Sequence, residues 1–537
     1  MKRICVLFFM LLQLSVFSSG VLNITDFGAT AGTGTLQTQY IQAAIDSAER
    51  AGGDTVLIPQ GVFLSSTLFL KDNVILKIAK NGVLKGALKT SLYPDVIPSV
   101  RSFADHYPQR SLIYAEGKHN IGFSGEGTLD GNGLSLDFVL NSGDKPLGVR
   151  FISCTNVLYE GITMKNSGFW MMHNLNCDTL TIRNLKIINH NFGNGDGIDI
   201  DGCKNVQVEN CTVDSNDDPF VIKTTNTGEA SGIEVRNCTF QTYSRAIKIG
   251  TETYGPVKNV YIHDCQVKFS TNGPFGDHYP GDCGIQLSIV DGGSLENVTV
   301  ENIHVKGVQT PIFIRLGDRN VPFQDNGPQP PMGSLQNVIL RHITAEGTGN
   351  ISSSITGIPG FPVKGITLED IQLTVPGGQD SIASYTVPEN ESGKPGFDMF
   401  GDYLPAYGLY IRHADSINLD QVCITAKQQD ERPEMYFEDT SEVSISPCVI
   451  TAVQNLRSEF FKVYPNPVTE KLQIFCKTYA TVEYWVCDMM GKEIAKGILT
   501  DVFSAVDVSN LPAGIYFIRL YKNQVQLAAL PFLKSTS

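Results

Sequence analysis

Charged side chains are scarce in this chain, and basic ones are scarcer than acidic ones. Only 18% of the 537 residues are charged, and 41 basic residues stand against 55 acidic ones, for a net charge of -14. A phosphate backbone requires a broad basic surface, so this balance argues against a nucleic-acid partner. An acidic polymer remains compatible with the composition where cationic side chains gather locally.

Long apolar runs are absent after residue 20. The first 20 residues, MKRICVLFFMLLQLSVFSSG, combine early basic residues, an apolar stretch and small residues before Val21. This pattern predicts a cleaved secretory signal peptide, and the stretch is too short to cross a bilayer. We therefore predict an exported chain without a membrane span, and a monomer.

Amphipathic helices are nearly missing, and the one clear case, QYIQAAIDSAER from Gln39 to Arg50, precedes the repeats described below. We predict that it caps one end of a repeat core.

Cysteine is not scarce, but Cys211, Cys238 and Cys265 recur at intervals of 27 residues. This spacing favours a buried ladder of small side chains over a disulfide framework, with occasional disulfides as the alternative.

A nine-residue phrase, typified by NVQVENCTV, recurs nine times. The copies begin at residues 156, 179, 205, 232, 259, 297, 337, 365 and 416, with a core spacing of 23 to 28 residues. A second alternating segment, such as GIDID, PFVIK or AIKIG, lies between them. Two or more short strands per repeat predict an all-β fold, a right-handed parallel β-helix over residues 21–452.

Three intervals between repeats are longer, at 38, 40 and 51 residues. The extra residues are FSTNGPFGDHYPGD, LGDRNVPFQDNGPQPPMGS and the stretch from Pro376 to Pro405. Loops of this length are usually functional or disordered. We predict that they form walls around a cleft, and surface decoration is the alternative.

The pattern changes after Ile450, and residues 459–537 predict a small C-terminal β-sandwich. VYPNPVTEKLQI, YWVCDMMGKEIAKG and LPAGIYFIRLYKNQ read as strands and tight turns. This region resembles the C-terminal sorting domains of type IX secretion. The resemblance implies a Gram-negative bacterial source and export to the periplasm, the cell surface or the medium. A fibronectin-like appendage is the alternative.

Three acidic residues occupy matching points of successive repeats. Residues 196–201, 218–223 and 245–250 align without gaps when their apolar positions face inward, which places Asp196, Asp218 and Arg245 in one column and Asp217 beside it. Crowded carboxylates perturb each other's pKa values, as general acid and base chemistry requires. We predict that Asp196, Asp217 and Asp218 are catalytic; acids that only bond backbone amides are the alternative.

The neighbouring outward columns supply the predicted substrate-binding side chains. Extending the register one repeat back places Trp170 in the same column as Asp196, and Arg315 follows Ser288 one repeat further on. The full predicted set is Trp170, His173, Asp199, Lys223, Arg245, Lys248, Gln286 and Arg315.

On these residues the chain resembles glycoside hydrolase family 28, the pectin-degrading polygalacturonase group with a pectin-lyase-like β-helix. The resemblance runs from Asn23 to Pro447 and rests on NGDGIDI, NDDPFVIK and the DFGA segment at Asp26. It implies inverting hydrolysis of a pectic polysaccharide or oligosaccharide without metal or cofactor. It also implies that Asp217 is the general acid and that Asp196 and Asp218 activate the attacking water.

Two departures from that family bear on the substrate. Ser244-Arg245-Ala246 stands where polygalacturonases carry Gly-His-Gly, and Gln286-Leu287-Ser288 stands where they carry Arg-Ile-Lys. The rhamnogalacturonan hydrolases of the family also lack that His and place a Lys at the position of Lys223, although they usually have Asp-Glu at the Asp217-Asp218 position. The expected substrate is therefore a rhamnogalacturonan or polygalacturonan fragment, and the long insertions predict attack at chain ends.

Two other functions stay open at the level of sequence. A β-helix polysaccharide lyase would use calcium held by the aspartates and Arg245 as the base. A non-catalytic carbohydrate-binding β-helix would need neither, but a pure binding surface gains nothing from crowded carboxylates.

Overall fold

The computed structural model describes residues 20–270, 280–379, 386–448, 461–476, 482–488, 492–501, 503–522 and 525–535. Residues 1–19, which contain nearly all of the predicted signal peptide, and the insertion residues 271–279 and 380–385 lie outside them. The chain divides into two compact units, one ending at Pro447 and the other beginning at Cys448.

The first unit is a parallel β-helix in which each strand pairs in parallel with its equivalent one coil away. Three ladders run along it. The first contains Val21–Asn23, Asp54–Ile58, Val74–Ile78, His119–Gly125, Thr155–Glu160, Asp178–Arg183, Lys204–Glu209 and Ala230–Arg236. The second contains Gly61–Ser65, Gly82–Gly86, Thr128–Asp130, Thr163–Lys165, Lys186–Asn189, Thr212–Ser215 and Thr239–Thr242. The third contains Leu68–Phe69, Ser111–Glu116, Leu147–Ile152, Met172–Leu175, Ile198–Asp201, Phe220–Thr224, Arg245–Thr253, Gly281–Ile289 and Ser353–Thr356.

The later coils run through two or three ladders without a break. These strands are Pro256–Phe269, Ser294–Leu316, Ser334–Gly347, Val363–Gly377, Leu409–Gln428 and Met435–Ser446. The predicted parallel β-helix is confirmed by this arrangement.

The repeated phrase is explained by backbone conformation at the start of each first-ladder strand. The Asn that opens NVQVENCTV and its equivalents adopts a positive φ, for example 55° at Asn205, 54° at Asn259 and 57° at Asn297. Asn tolerates this left-handed conformation better than most residues. A Gly at position 232, with φ of 65°, serves where the phrase lacks Asn. The Asn is therefore a turn signal that sets where each coil begins.

The interior of the coil stack is apolar along its whole length. Inward residues of the third ladder, such as Ile198, Phe220 and Ile247, are fully buried in one continuous core. The predicted cysteine ladder is also confirmed, because Cys211, Cys238 and Cys265 are free thiols buried in that core.

Helices are few among the described residues. The longest is Thr38–Arg50, and it buries Ile41, Ala44, Ile45 and Ala48 against the first coils. The capping helix predicted from Gln39 to Arg50 is therefore confirmed. The other helices are Leu136–Leu140 and the short 3₁₀ turns Ile24–Phe27, Thr90–Leu92, Phe103–His106 and Ser142–Asp144. Within the described ranges no helix is long and apolar enough to cross a membrane.

The second unit consists of two antiparallel sheets around a core of its own. One sheet contains Phe461–Tyr464, Lys471–Cys476 and Phe503–Asp507. The other contains Val482–Cys487, Glu493–Leu499, Gly514–Lys522 and Val525–Lys534. This is the small β-sandwich expected from the sequence.

Candidate active site

The site lies on the outward face of the third ladder, where the predicted register holds. Ile198 pairs with Phe220, and Phe220 pairs with Ile247. The amide of Met171 donates to the carbonyl of Asp196, and the amide of Gly197 donates to that of Asp218. Trp170, Asp196 and Asp218 therefore occupy successive coils of one column, with Arg245 on the next. The coil stacking brings together acids that are 21 or more residues apart in sequence.

Asp218 sits between cations from the following coil. Lys248 Nζ lies 2.6 Å from Asp218 Oδ2, and both side chains are nearly inaccessible to solvent. Burial alone would raise the pKa of Asp218, but Lys248 and Arg245 outweigh it and lower that pKa below the usual Asp value. Asp218 is therefore held in its ionised form.

Asp217 precedes Asp218 in the chain but has the opposite character. Its backbone carbonyl accepts hydrogen bonds from Ser215 and Thr242, which fixes the corner, and its side chain is half-buried. Burial and the adjacent charge of Asp218 raise the pKa of Asp217. The two neighbouring carboxyls are thus biased towards one protonated and one ionised group.

Asp196 belongs to a second charged cluster one coil earlier. Lys223 Nζ lies 3.1 Å from Asp196 Oδ2 and 2.6 Å from Asp199 Oδ1, and 3.6 Å from the centre of a Trp170 ring. Burial, partly offset by Lys223, raises the pKa of Asp196 well above its usual value and that of Asp199 to about 7. Asp196 and Asp199 thus share the single buried cation Lys223, so one of the two carboxyls retains its proton more readily than an isolated Asp would.

Several predicted substrate-binding residues are buried instead of lining an open surface. His173 is 1% exposed and its Nε2 lies 2.9 Å from Asp201 Oδ2. Trp170 is covered by Tyr107, with ring centres 4.9 Å apart. The side chains of Trp170, His173, Asp199 and Lys223 form a buried layer beneath the site. His173 therefore lies beneath the site in this structure, and its predicted contact with substrate stays a prediction.

Arg315 and Gln286 are buried as well, and their predicted substrate contacts stay predictions. Arg315 does follow Ser288 in its column, but it is 1% exposed and donates to the backbone carbonyls of Gly357, Glu389 and Asn390. Gln286 is fully buried beside Ser288. Both side chains are enclosed by protein in this structure. Arg245 is the more accessible cation, with 20% of its side chain exposed and Asp282 at 3.4 Å.

The described part of the third insertion, residues 386–405, forms a wall beside Arg245. A Cβ placed on Gly396 would lie 3.6 Å from the Arg245 guanidinium. Phe397, Phe400 and Leu404 of this wall pack on the outward side chains of the third ladder beyond the acids. The outward face of the later coils is therefore covered on that side of the site.

A second wall comes from residues 88–110, which the sequence analysis did not single out. The Phe103 amide donates to the Thr225 carbonyl, and the Tyr107 hydroxyl donates to Glu252 Oε1 at 3.1 Å. The described second insertion joins this wall, because Asp325 lies 3.2 Å from His106. Tyr107 and Glu252 are side chains of the site that sequence reasoning missed, since neither lies in a repeated motif.

The pair Asp217 and Asp218 has the chemistry of a general acid beside a general base, and the described residues contain no group of three or more His, Cys, Asp or Glu arranged to hold a metal ion. Residues 52–392, more than half of the chain, match the model of glycosyl hydrolases family 28. The chain belongs to glycoside hydrolase family 28. This family 28 enzyme is therefore a glycoside hydrolase, and nothing in the match supports the lyase alternative.

Relatives of the family 28 enzyme agree with this assignment. An exopolygalacturonase of Platanus acerifolia is 22% identical over 397 residues, covering 70% of this chain and 97% of the relative. A polygalacturonase of Gossypium hirsutum is 25% identical over 329 residues, covering 57% and 73%. The structure of the Yersinia enterocolitica family 28 exopolygalacturonase has the same fold, with a TM-score of 0.63 and 20% identity over 80% of this chain and 78% of that one.

The C-terminal unit has a match of its own. Residues 462–529 match a secretion system C-terminal sorting domain. The family 28 enzyme is thus a secreted protein with a cell-surface or extracellular location.

Proposed function

We propose that this enzyme hydrolyses galacturonic-acid-containing pectic polymers from a chain end, with inversion and without a metal. One arrangement carries the proposal: beside Asp196 on the outward face of the coils, Asp218 lies 2.6 Å from Lys248, whereas its neighbour Asp217 is contacted by Ser244 at 2.9 Å. These different surroundings move the pKa values of the two carboxyls in opposite directions. Such a divergence is how one site keeps an acid and a base ready at the same pH.

In this mechanism Asp217 donates its proton to the leaving glycosidic oxygen, and Asp218 accepts a proton from the attacking water. The ionised state of Asp218 is supported by Lys248 and Arg245, and the protonated state of Asp217 by burial and by the charge of Asp218. Asp196, on the preceding coil, assists in holding the water. Inversion is the outcome that the family resemblance implies, and the anomeric configuration of the first product tests it.

The substrate class is supported by the exposed cation of the site. Arg245 stands beside the two acids, and its planar guanidinium suits a uronate carboxylate. Its partner Asp282 lies at 3.4 Å and is itself part-exposed, so a substrate carboxylate can compete for it. Polygalacturonan is favoured by the names of the relatives, and rhamnogalacturonan by Arg245 and Lys223 at positions where polygalacturonases differ.

Attack at a chain end is supported by the two walls. Residues 386–405 cover the third ladder beyond Arg245, and Tyr107 covers it at Trp170. A polymer lying along the coil axis would meet a wall on each side of the acids. A site closed by walls on both sides admits the end of a polymer chain more readily than its middle.

The proposal is tested by incubating the enzyme separately with homogalacturonan and rhamnogalacturonan and following released sugars by chromatography and by proton NMR. We expect mono- or disaccharides from the first minutes, with an inverted anomeric configuration. Asp217→Asn should lower kcat by about 100-fold to 10,000-fold, because it removes the acid. Wild-type turnover in this variant, or unsaturated products, would contradict the mechanism.

We also propose that a signal peptide of about 20 residues starts export in a Gram-negative bacterium, and that the secreted enzyme is a monomer. The early basic and apolar residues support the signal, and the matched sorting domain supports passage to the surface. Amino-terminal sequencing and light scattering of the secreted form test both statements.

A further inference from the structure

Ser244 lies between the two acids, at a position where the family pattern has glycine. Its Oγ is 2.9 Å from Asp217 Oδ1 and 3.2 Å from Asp218 Oδ1. The Arg245 guanidinium donates to the same Oγ at 3.0 Å. Ser244 is 5% exposed, so solvent competes little with these three contacts. One hydroxyl therefore touches the acid, the base and the neighbouring cation at once.

The single hydrogen of the Ser244 hydroxyl limits which of these three contacts can be hydrogen bonds at the same time. A hydroxyl has one hydrogen to donate and two lone pairs to accept with. Arg245 always donates and occupies one lone pair. The single hydroxyl hydrogen can serve one carboxylate, so the contact with the other carboxyl is favourable only when that carboxyl supplies a proton of its own. All three contacts of Ser244 are satisfied together when Asp217 and Asp218 hold one proton between them.

We propose that Ser244 is a positioning residue that bridges Asp217 and Asp218 and stabilises the singly protonated form of the pair. This inference rests on the proposed acid and base roles of the two residues. The form that Ser244 favours is the one with a proton donor and a proton acceptor present together. Other charged groups also face the pair, and they act on its total charge, whereas Ser244 acts on the distribution of one proton. These groups are Asp196 and Asp199 of the preceding coil, Lys223 of the same coil, Arg245 and Lys248 of the next coil, and Asp282 beyond.

The consequence is measurable as the separation between the two titration steps of the pair. A bridge that stabilises the intermediate protonation state makes the first proton leave more easily and the second less easily, which widens the gap between the macroscopic pKa values. Removing the bridge should shift each of the two steps by about half a unit in opposite directions, and so narrow the gap by about one unit.

The experiment compares the wild-type enzyme with Ser244→Ala and with Ser244→Thr, which keeps a hydroxyl. Carboxyl carbons of ¹³C-aspartate are titrated by NMR without substrate, and the two signals are identified by their loss in Asp217→Asn and Asp218→Asn. We expect Ser244→Ala to narrow the gap by about one unit and Ser244→Thr to restore it. An unchanged gap in a folded Ser244→Ala enzyme overturns the proposal.

A second readout links the bridge to turnover. The bell-shaped pH profile of kcat/KM on a pectic polymer should be narrower for Ser244→Ala by the same amount, and as wide as wild type for Ser244→Thr. A uniform loss of activity with an unchanged profile overturns the proposal. Because the NMR titration needs no substrate, it decides on the bridge even if the wild-type enzyme fails on pectic polymers, a result that would count against the proposed function alone.

Discussion

Replacement of Arg315 by Met should loosen the wall of residues 386–405 and shift the enzyme from attack at chain ends towards attack within chains. Arg315 ties this wall to the coil stack by donating to the carbonyls of Glu389 and Asn390 at 2.9 and 3.1 Å, and to Gly357 at 2.7 Å. Met fills similar space without the donors, so the change removes the tether and leaves the acids in place.

The magnitude follows from the two bonds that reach the wall. A hydrogen bond from a charged donor contributes about 1.5 kcal/mol at the lower end of its range, so the two together hold the wall by about 3 kcal/mol. Each 1.4 kcal/mol is a factor of ten, which gives roughly a 100-fold rise in the ratio of open to closed wall. Arg412 holds Val387 through a further bond of 2.9 Å, so the wall is loosened rather than lost.

The assay is the length distribution of oligosaccharides released from homogalacturonan at low conversion, with solution viscosity followed in parallel. Longer products and a faster fall in viscosity per bond broken are expected from Arg315→Met. Arg341→Met is the matched control, because Arg341 is part-exposed, pairs with Glu301 and lies on the first ladder, whereas the wall packs on the third. A folded Arg315→Met enzyme that releases the wild-type products would refute the reasoning.

Three further predictions concern the charges of the site. A plot of kcat/KM against pH should be bell-shaped. Its acidic limb, set by Asp218, should lie below the usual Asp pKa, and its basic limb, set by Asp217, should lie above it. A plot with a single limb would contradict the pairing of acid and base. Lys248→Met should move the acidic limb up by about 1 to 3 units, because Asp218 loses its cation, and an unmoved limb would show that the ion pair is unimportant. The wild-type enzyme should lose stability relative to Asp199→Asn as pH rises from about 4 to about 8, by up to about 4 kcal/mol. The reason is that the pKa of the buried Asp199 is raised to about 7, so the folded state favours the protonated carboxyl, which is lost over that window. If the difference in melting temperature between the two proteins is the same at both pH values, this reasoning is refuted.

The coil architecture and the acid cluster could be predicted because both depend on local periodicity. Alternation of apolar residues fixed the inward face of strands such as Ile198–Asp201, and the turn-forming Asn fixed where each coil begins. Once the register was known, the columns that hold Asp196, Asp218 and Arg245 followed without further information.

Burial of the predicted binding residues could not be derived in this way, because it depends on segments far away in the sequence. Trp170 and His173 lie in an outward column, yet Tyr107 packs over Trp170 from a segment that carries no repeat signal. Arg315 likewise points outward and is covered by residues 386–405. A register states which way a side chain points, but not what another part of the chain places on top of it.

The different surroundings of the adjacent Asp217 and Asp218 arise from the stacking of coils. Lys223 pairs with acids of the coil before it, and Lys248 pairs with Asp218 of the coil before it, so each of these two coils supplies a cation to its predecessor. Asp218 lies in the strand-entry column and meets such a cation, whereas Asp217 lies one residue earlier at the corner, where Ser244 is the group that contacts it. A slip of one residue in this register would bring Asp217 into the column that meets the cation and move Asp218 out of it.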